Sequence, residues 1–373
     1  MTQAEQWMDR APQLGMNPDR LRTAIALVES AVESGAVPGA VFAIERDGQR
    51  LEFACGIAFE QGGTAVPAGS DTLYDCASLT KTTVTLPLVL MLLEQGRILL
   101  QDPLALYLPD FATSDIKASV TIARLLTHTA GFPPTLDLHS RGWSRERIVQ
   151  SLIELEPEQP PGARIVYSDI GYILLGHLTE RLYGETLERA ARRHIFEPLG
   201  MTDSVFCPPP ALHPRTAETE WYPGEPAPRR AIVHDENAAA MGGVSGHAGL
   251  FSTARDLTRY MQAWLGGGSL KGLRWLSPAA VALATSCQTA GVPGGNRGLG
   301  WVLKGDKFDV SGDLLSAGCY GHTGFTGTSA YADPASGLSI VLLTNSVRKG
   351  RDRSVVSRLR AAVHNAVAAA LTN

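Results

Sequence analysis

The chain has 373 residues, long enough for a sizeable core and for about two to three units of structure. Hydrophobic residues make up 44% and charged residues 19%, ordinary proportions that exclude wholesale disorder, collagen-like repeats and coiled coil. With 33 Lys+Arg against 37 Asp+Glu the net charge is -4, which gives no basic field for nucleic acid or for an acidic membrane surface.

In chain order, Met1 to Arg22 lacks the apolar core of an export signal, so a cytoplasmic location is the expectation. Asp19 to Ser34 carries Leu21, Ile25, Val28 and Val32 at helical spacing and stops near Gly35. Val41 to Glu45 and Arg50 to Cys55 flank Asp47-Gly48, a pair suited to a tight hairpin because both central residues of that turn need positive φ. Ser78 to Gln95 reads as a buried helix ending at Gly96, with a kink expected at Pro87. Its longest apolar run, Leu86 to Leu93, is far short of the roughly 20 residues of a membrane span. Helical patterns dominate the middle, at Val120–Thr127, Arg145–Glu154, Ile170–Leu182 and Leu257–Leu265, with few convincing strands. Seven prolines between Asp203 and Asn237 predict a long irregular loop, expected to border a substrate pocket. Thr328–Ala332 and Leu338–Thr344, around Asp333-Pro334, read as strands, and Val355–Leu371 as a closing amphipathic helix. The expectation is an α/β (α+β) chain: residues 18–96 and 290–373 form two parts of a sheet region with terminal helices, and 97–289 form an inserted helical region containing loop 203–237.

Five cysteines (Cys55, Cys76, Cys207, Cys287, Cys319) are scattered without C-x-x-C, which fits reduced thiols. His128, His234 and His247 lack metal-ligand spacing and read as structural groups, so no metal is expected. The glycines at 242, 243, 246 and 249 lack the lysine of a phosphate loop and read as close-packing positions. No G-x-S-x-G occurs.

Three stretches can carry chemistry. Ser78-Leu79-Thr80-Lys81 puts a hydroxyl and an amine on one helix face, at a helix start where backbone N–H groups favour a developing oxyanion. Ser114 to Lys117 and Ser346 to Lys349 match S-x-x-K equally, but only Ser78 opens a helix that must be buried. Tyr167-Ser168-Asp169 precedes the helix from Ile170; a tyrosine in such a place usually packs, but beside an ammonium a phenol becomes a usable base. His322-Thr323-Gly324-Phe325 leads into the late strands, where glycine lets a ligand or a second backbone come close and the Phe325 N–H can serve as an oxyanion donor beside that of Ser78.

Together, in this order, the three stretches resemble the serine β-lactamase and penicillin-binding-protein superfamily, whose signature is S-x-x-K, a central S-D-N or equivalent, and K-T-G. The likeness is to the class C branch with its esterase and DD-carboxypeptidase relatives, which use Y-x-N and often H-T-G. Leu125-Leu126-Thr127-His128-Thr129-Ala130-Gly131, Met241 to Thr253 and Gly298-Leu299-Gly300-Trp301 are also similar to that branch. The resemblance implies a β-lactamase/DD-peptidase-like fold, with Ser78 as acylated nucleophile, Lys81 as its proton partner and Tyr167 as general base or acid. It places His322, Thr323 and Gly324 along the strand side of the cleft. Asp169 stands where the branch has asparagine, and His322 where the superfamily has lysine. An ionised Asp169 accepts from Lys81 but cannot donate to a substrate amide, and a neutral imidazole anchors a carboxylate weakly. The expectation is a cofactor-free serine hydrolase acting on a small-molecule ester, lactam or peptide, with carboxylesterase activity favoured. A DD-carboxypeptidase or β-lactamase using the same residues is the first rival; a catalytically silent binding module of the same fold is the second.

Overall fold

The computed structural model describes residues 3–111 and 114–372. Its centre is a seven-stranded sheet in which every neighbouring pair is antiparallel. The chain enters it through β1 (Gly39–Arg46), β2 (Gln49–Gln61) and β3 (Thr64–Pro67). The β1–β2 turn has Asp47 at φ 52° and Gly48 at φ 75°, the double positive φ that the Asp-Gly pair predicts. After β4 (Tyr74–Asp75) the chain leaves the sheet for the middle of the molecule. That middle holds β5 (Val205–Phe206), β6 (Leu250–Ser252), and the small hairpin β7 (Ser269–Leu270) and β8 (Leu273–Arg274). It returns through β9 (Val302–Leu303), β10 (Tyr320–Thr323), β11 (Ser329–Asp333) and β12 (Leu338–Thr344). The order β3-β2-β1-β12-β11-β10-β9 pairs the first hairpin with the last strand, so the two ends of the sequence build one sheet.

Both faces of this sheet are covered, which is why its central strands read as continuous apolar runs. Phe42 and Ile44 of β1 and Ile340 and Leu342 of β12 meet Leu21, Ile25 and Val28 of helix Pro18–Glu33 and Val363 and Val367 of the C-terminal helix Ser354–Ala370. The alternate residues Val41, Ala43, Val341 and Leu343 point to the opposite face, into the larger core with Tyr260 and Trp264 of helix Ala254–Leu265.

Helices Arg145–Glu154 and Asp169–Tyr183 occupy the middle as their periodicity predicts. Few strand patterns are visible in that part of the sequence, yet β6 pairs with both β4 and β5 in a second small sheet. Strands of two or three residues carry no measurable period, so only the fold reveals them. The expected kink at Pro87 is a wide π-helical turn, Lys81–Thr85, that runs into the α-helix Leu86–Glu94. Proline cannot donate to the carbonyl four residues back and its ring crowds that carbonyl, so the wider turn relieves both problems. The same solution recurs at Arg192–Phe196, two residues before Pro198. Loop 203–237 contains β5 and a 3-10 segment, Pro210–Arg215, before the short helix Glu236–Ala240. Among the described residues, no helix is long and apolar enough to cross a membrane.

Candidate active site

Ser78 follows β4 by a single tight turn. Leu79 N and Thr80 N donate back to Cys76 O and Ala77 O, each at 3.0 Å, and Lys81 N to Ser78 O at 3.1 Å, so Ser78 stands in the first turn of the buried helix. Lys81 is fully buried, and its ammonium meets three acceptors: Ser78 Oγ at 3.0 Å, His247 O at 3.0 Å and Asp169 Oδ1 at 2.7 Å. An ammonium has three hydrogens and no acceptor, so all three are used. Burial alone pushes the lysine down, but Asp169 and then Tyr167 outweigh it and hold the pKa above the ordinary lysine value. Lys81 is therefore charged at rest, and it donates to the serine oxygen.

Tyr167 is positioned by the segment it crosses. Val166 N donates to His128 O, Ser168 N to His128 Nδ1, Ser168 Oγ to Pro133 O and Asp169 N to Pro134 O. These bonds fix the residues on both sides of the tyrosine and start helix Asp169–Tyr183 with an acid in its first turn, where the helix dipole favours a carboxylate. The Tyr167 ring lies with its centroid 5.1 Å from Lys81 Nζ, and its phenol is a further polar neighbour of that ammonium.

The third stretch closes the opposite wall. His322 pairs with Ala330 and Thr323 with Ser329 in the β10–β11 hairpin. Thr326 Oγ1 then donates to Asp75 O at 2.6 Å and Thr328 Oγ1 to Cys76 O at 3.2 Å, stitching the hairpin loop to the residues just before Ser78. Gly324 makes this possible, since a Cβ there would lie 2.4 Å from Cys76 O and 2.1 Å from Thr328 Oγ1. Among the described residues, neither the Ser78 amide nor the Phe325 amide donates to a protein acceptor. Ser78, Tyr167, Asp169, His322, Thr323 and Phe325 all line one cleft of about 810 Å³.

The other two S-x-x-K matches are spent structurally. Ser114 Oγ caps the short helix Asp115–Ala118 and Ser346 Oγ donates to Thr326 O. The glycine-rich stretch packs closely, as expected: a Cβ on Gly246 would sit 2.1 Å from Tyr172 O. Of the histidines, His234 bonds Glu220, and His247 bridges Ser245 Oγ and Asp235 Oδ1, each at 2.8 Å. Asp169, Asp235 and His247 bring ligand-type atoms within 4.8 Å of one another, but Lys81 and His247 already hold the two carboxylates. Burial opposes ionisation of Asp235, yet His247, the Ala238 amide and Lys81 keep its carboxyl well below the usual carboxylate range.

Some neighbours carry no signal in the sequence. Arg297 is fully buried, bonds Asp306 through Nε at 3.1 Å, and lies 5.6 Å from the Tyr167 ring centroid with both terminal nitrogens lacking an acceptor. Phe308 covers the same ring at 5.6 Å. Burial, then Arg297 and Lys81, push His128 and His322 well below the ordinary histidine range, so both are neutral. In the sequence Arg297 is only the residue just before Gly298-Leu299-Gly300-Trp301, and a lone arginine in a loop carries no pattern.

A family model described as Beta-lactamase matches residues 24–365. The chain belongs to the Beta-lactamase family. This family member is 32% identical over 369 residues to the "Putative D-alanyl-D-alanine carboxypeptidase" of Escherichia coli (strain K12), covering 89% of this chain and 83% of the relative. Among solved structures it resembles a penicillin-binding protein homologue from Caulobacter crescentus, with a TM-score of 0.74 and 26% identity over 94% of this chain and 99% of that one. It shares its fold with EstCE1, described as a hydrolase with promiscuous acyltransferase activity, at a TM-score of 0.75 and 22% identity, over 94% and 99% of the two chains. The β-lactamase/DD-peptidase-like α/β fold and membership of a serine hydrolase superfamily follow.

Proposed function

We propose that this protein hydrolyses acyl compounds through an acyl-enzyme on Ser78. The observation that carries the reading is the saturated Lys81 ammonium: it donates to Ser78 Oγ and has no lone pair with which to take a proton. Lys81 thus lowers the cost of the serine alkoxide, and Tyr167, acting as the phenolate, takes the proton on its oxygen. Ser78 Oγ bonds to the carbonyl carbon while the Ser78 and Phe325 amides receive the oxyanion. As the tetrahedral centre collapses, the bond to the leaving group breaks and Tyr167 returns the proton to it. Water then repeats the sequence, with Tyr167 as base and Ser78 as leaving group. No cofactor takes part in these steps.

The substrate favoured by Asp169 and the neutral His322 is a small or medium carboxylic ester, because neither group supplies the amide donor or the fixed strand cation that suits a lactam or peptide. A DD-carboxypeptidase reading rests on a different observation: the two acceptor-less nitrogens of Arg297 beside Tyr167 suit a substrate carboxylate, and the curated relative bears that name. The test compares wild type with Ser78→Ala on p-nitrophenyl esters of increasing chain length, on a peptide ending in D-Ala-D-Ala and on a fluorescent penicillin. Ester turnover that disappears in the variant supports the esterase. Ser78-dependent release of D-Ala or penicillin labelling without ester turnover moves the assignment to the peptidase, and undiminished turnover by Ser78→Ala overturns the mechanism.

A further inference from the structure

Asp75, at the end of β4, is 1% exposed, and no lysine or arginine pairs with it among the described residues. A buried carboxylate in such a place is costly unless its oxygens are fully used. Its Oδ1 accepts Ala77 N at 2.8 Å and its Oδ2 accepts His234 N at 2.6 Å, while its backbone carbonyl accepts Thr326 Oγ1 at 2.6 Å. Each partner leads to the proposed oxyanion site. Ala77 holds φ 45°, a left-handed conformation that a non-glycine residue adopts only when its surroundings impose it, and its next neighbour is the Ser78 amide. The His234 ring stacks on Phe325 at 5.5 Å and 20°, and the Arg353 guanidinium lies 4.7 Å from the centroid of the same Phe325 ring. Thr326 is the residue after Phe325. One buried carboxylate residue therefore touches the segment bearing one donor, the side-chain support of the other donor, and the loop that carries it.

We infer that Asp75 is a positioning residue that sets the separation of the Ser78 and Phe325 amides by clamping the Ala77 turn, the His234 segment and the Thr326 loop together. The inference rests on the acyl-enzyme reading above, in which those amides hold the oxyanion. Its sequence position is informative only in the fold: three residues before the nucleophile, on a two-residue strand, it would pass for an N-terminal helix acid.

Asp75→Asn keeps the shape but replaces one acceptor with a donor, so one of the two amides loses its partner. Thr326→Val removes only the hydroxyl bond. The experiment measures kcat and KM on a p-nitrophenyl ester, and the affinity for an alkyl boronic acid, whose tetrahedral adduct with a serine oxygen mimics the charged intermediate. The expected result is a fall in kcat of about tenfold or more for Asp75→Asn and about threefold for Thr326→Val. Boronate affinity falls by the same factors, and KM stays within about threefold, a split that general loosening of the fold does not produce. Boronate affinity and kcat within twofold of wild type, in whichever of the two variants folds, overturn the inference. Ser78→Ala run alongside separates the two failures: if it stays active, the acyl-enzyme reading has failed; if it is inactive while the clamp variants are unchanged, only the role of Asp75 has failed.

Discussion

Asp169→Asn removes the charge that faces Lys81 while keeping an oxygen able to accept from it. The wild-type pair lies at 2.7 Å with the lysine fully buried and the aspartate side chain 21% exposed. At an effective dielectric near 20, unit charges at that separation attract by about 6 kcal/mol. Much of this is offset by the desolvation that burial imposes, and removing one partner of such a pair typically costs about 3 kcal/mol once a hydrogen bond is retained. For a chain of 373 residues, with an unfolding entropy near 0.8 kcal/mol per kelvin, that is a fall in Tm of about 4 °C. The pH dependence has a definite sign. Lys81 has its folded pKa raised, so the pair's stabilisation is fully present below the unfolded value and is lost as pH rises through the folded one. In the variant, burial, the largest influence on Lys81, acts without its main opponent and the pKa falls. The gap in Tm is therefore widest near neutral pH and closes at strongly alkaline pH, and the alkaline limb of kcat/KM moves to lower pH. Thermal melts and ester kinetics from pH 6 to 11 check both effects. A gap under about 1 °C at pH 7 together with an unmoved alkaline limb would show that the Asp169 charge does not hold Lys81 in its charged form.

Tyr167→Phe keeps the ring among His128, His322 and Phe308 and removes only the proton acceptor, so kcat should drop by about 10² to 10⁴ with little change in Tm. Gly324→Ala places a methyl group 2.4 Å from Cys76 O, forcing the β10–β11 loop off the Ser78 segment; turnover should be lost and Tm lowered, as a melt and an ester assay report. His128, His322 and His364 are buried neutral, the last pushed down to about 4 chiefly by burial. Their depressed folded values mean that the stability they supply is complete above about pH 6.5 and is lost as pH falls toward the folded values, so Tm should decline between pH 6.5 and 4. Replacing His364 by Gln should flatten part of that decline.

Sequence legibility followed the length of the pattern. Helix Arg145–Glu154 and the Asp47-Gly48 hairpin were readable because apolar spacing and turn chemistry are local. The three-residue β6 was not, since its identity as a strand depends on β4 and β5, more than 40 residues away in each case. At the cleft, Ser78, Lys81 and Tyr167 drew attention as reactive residue types in motif order, and Asp169 through its departure from asparagine. Asp75 and Arg297 were silent: a buried acid accepting two backbone amides and a buried guanidinium beside an aromatic ring are relations among distant segments. Loop 203–237 shows both cases. Its prolines announced an irregular stretch, but only its end, from His234 to Asn237, reaches the cleft wall.

The most direct test is the mass of the protein after rapid acid quench during turnover of a slowly deacylated ester. One added acyl group is expected, found on the peptide containing Ser78 and absent from Ser78→Ala. Turnover without any adduct, or an adduct that persists at another residue in Ser78→Ala, would contradict it.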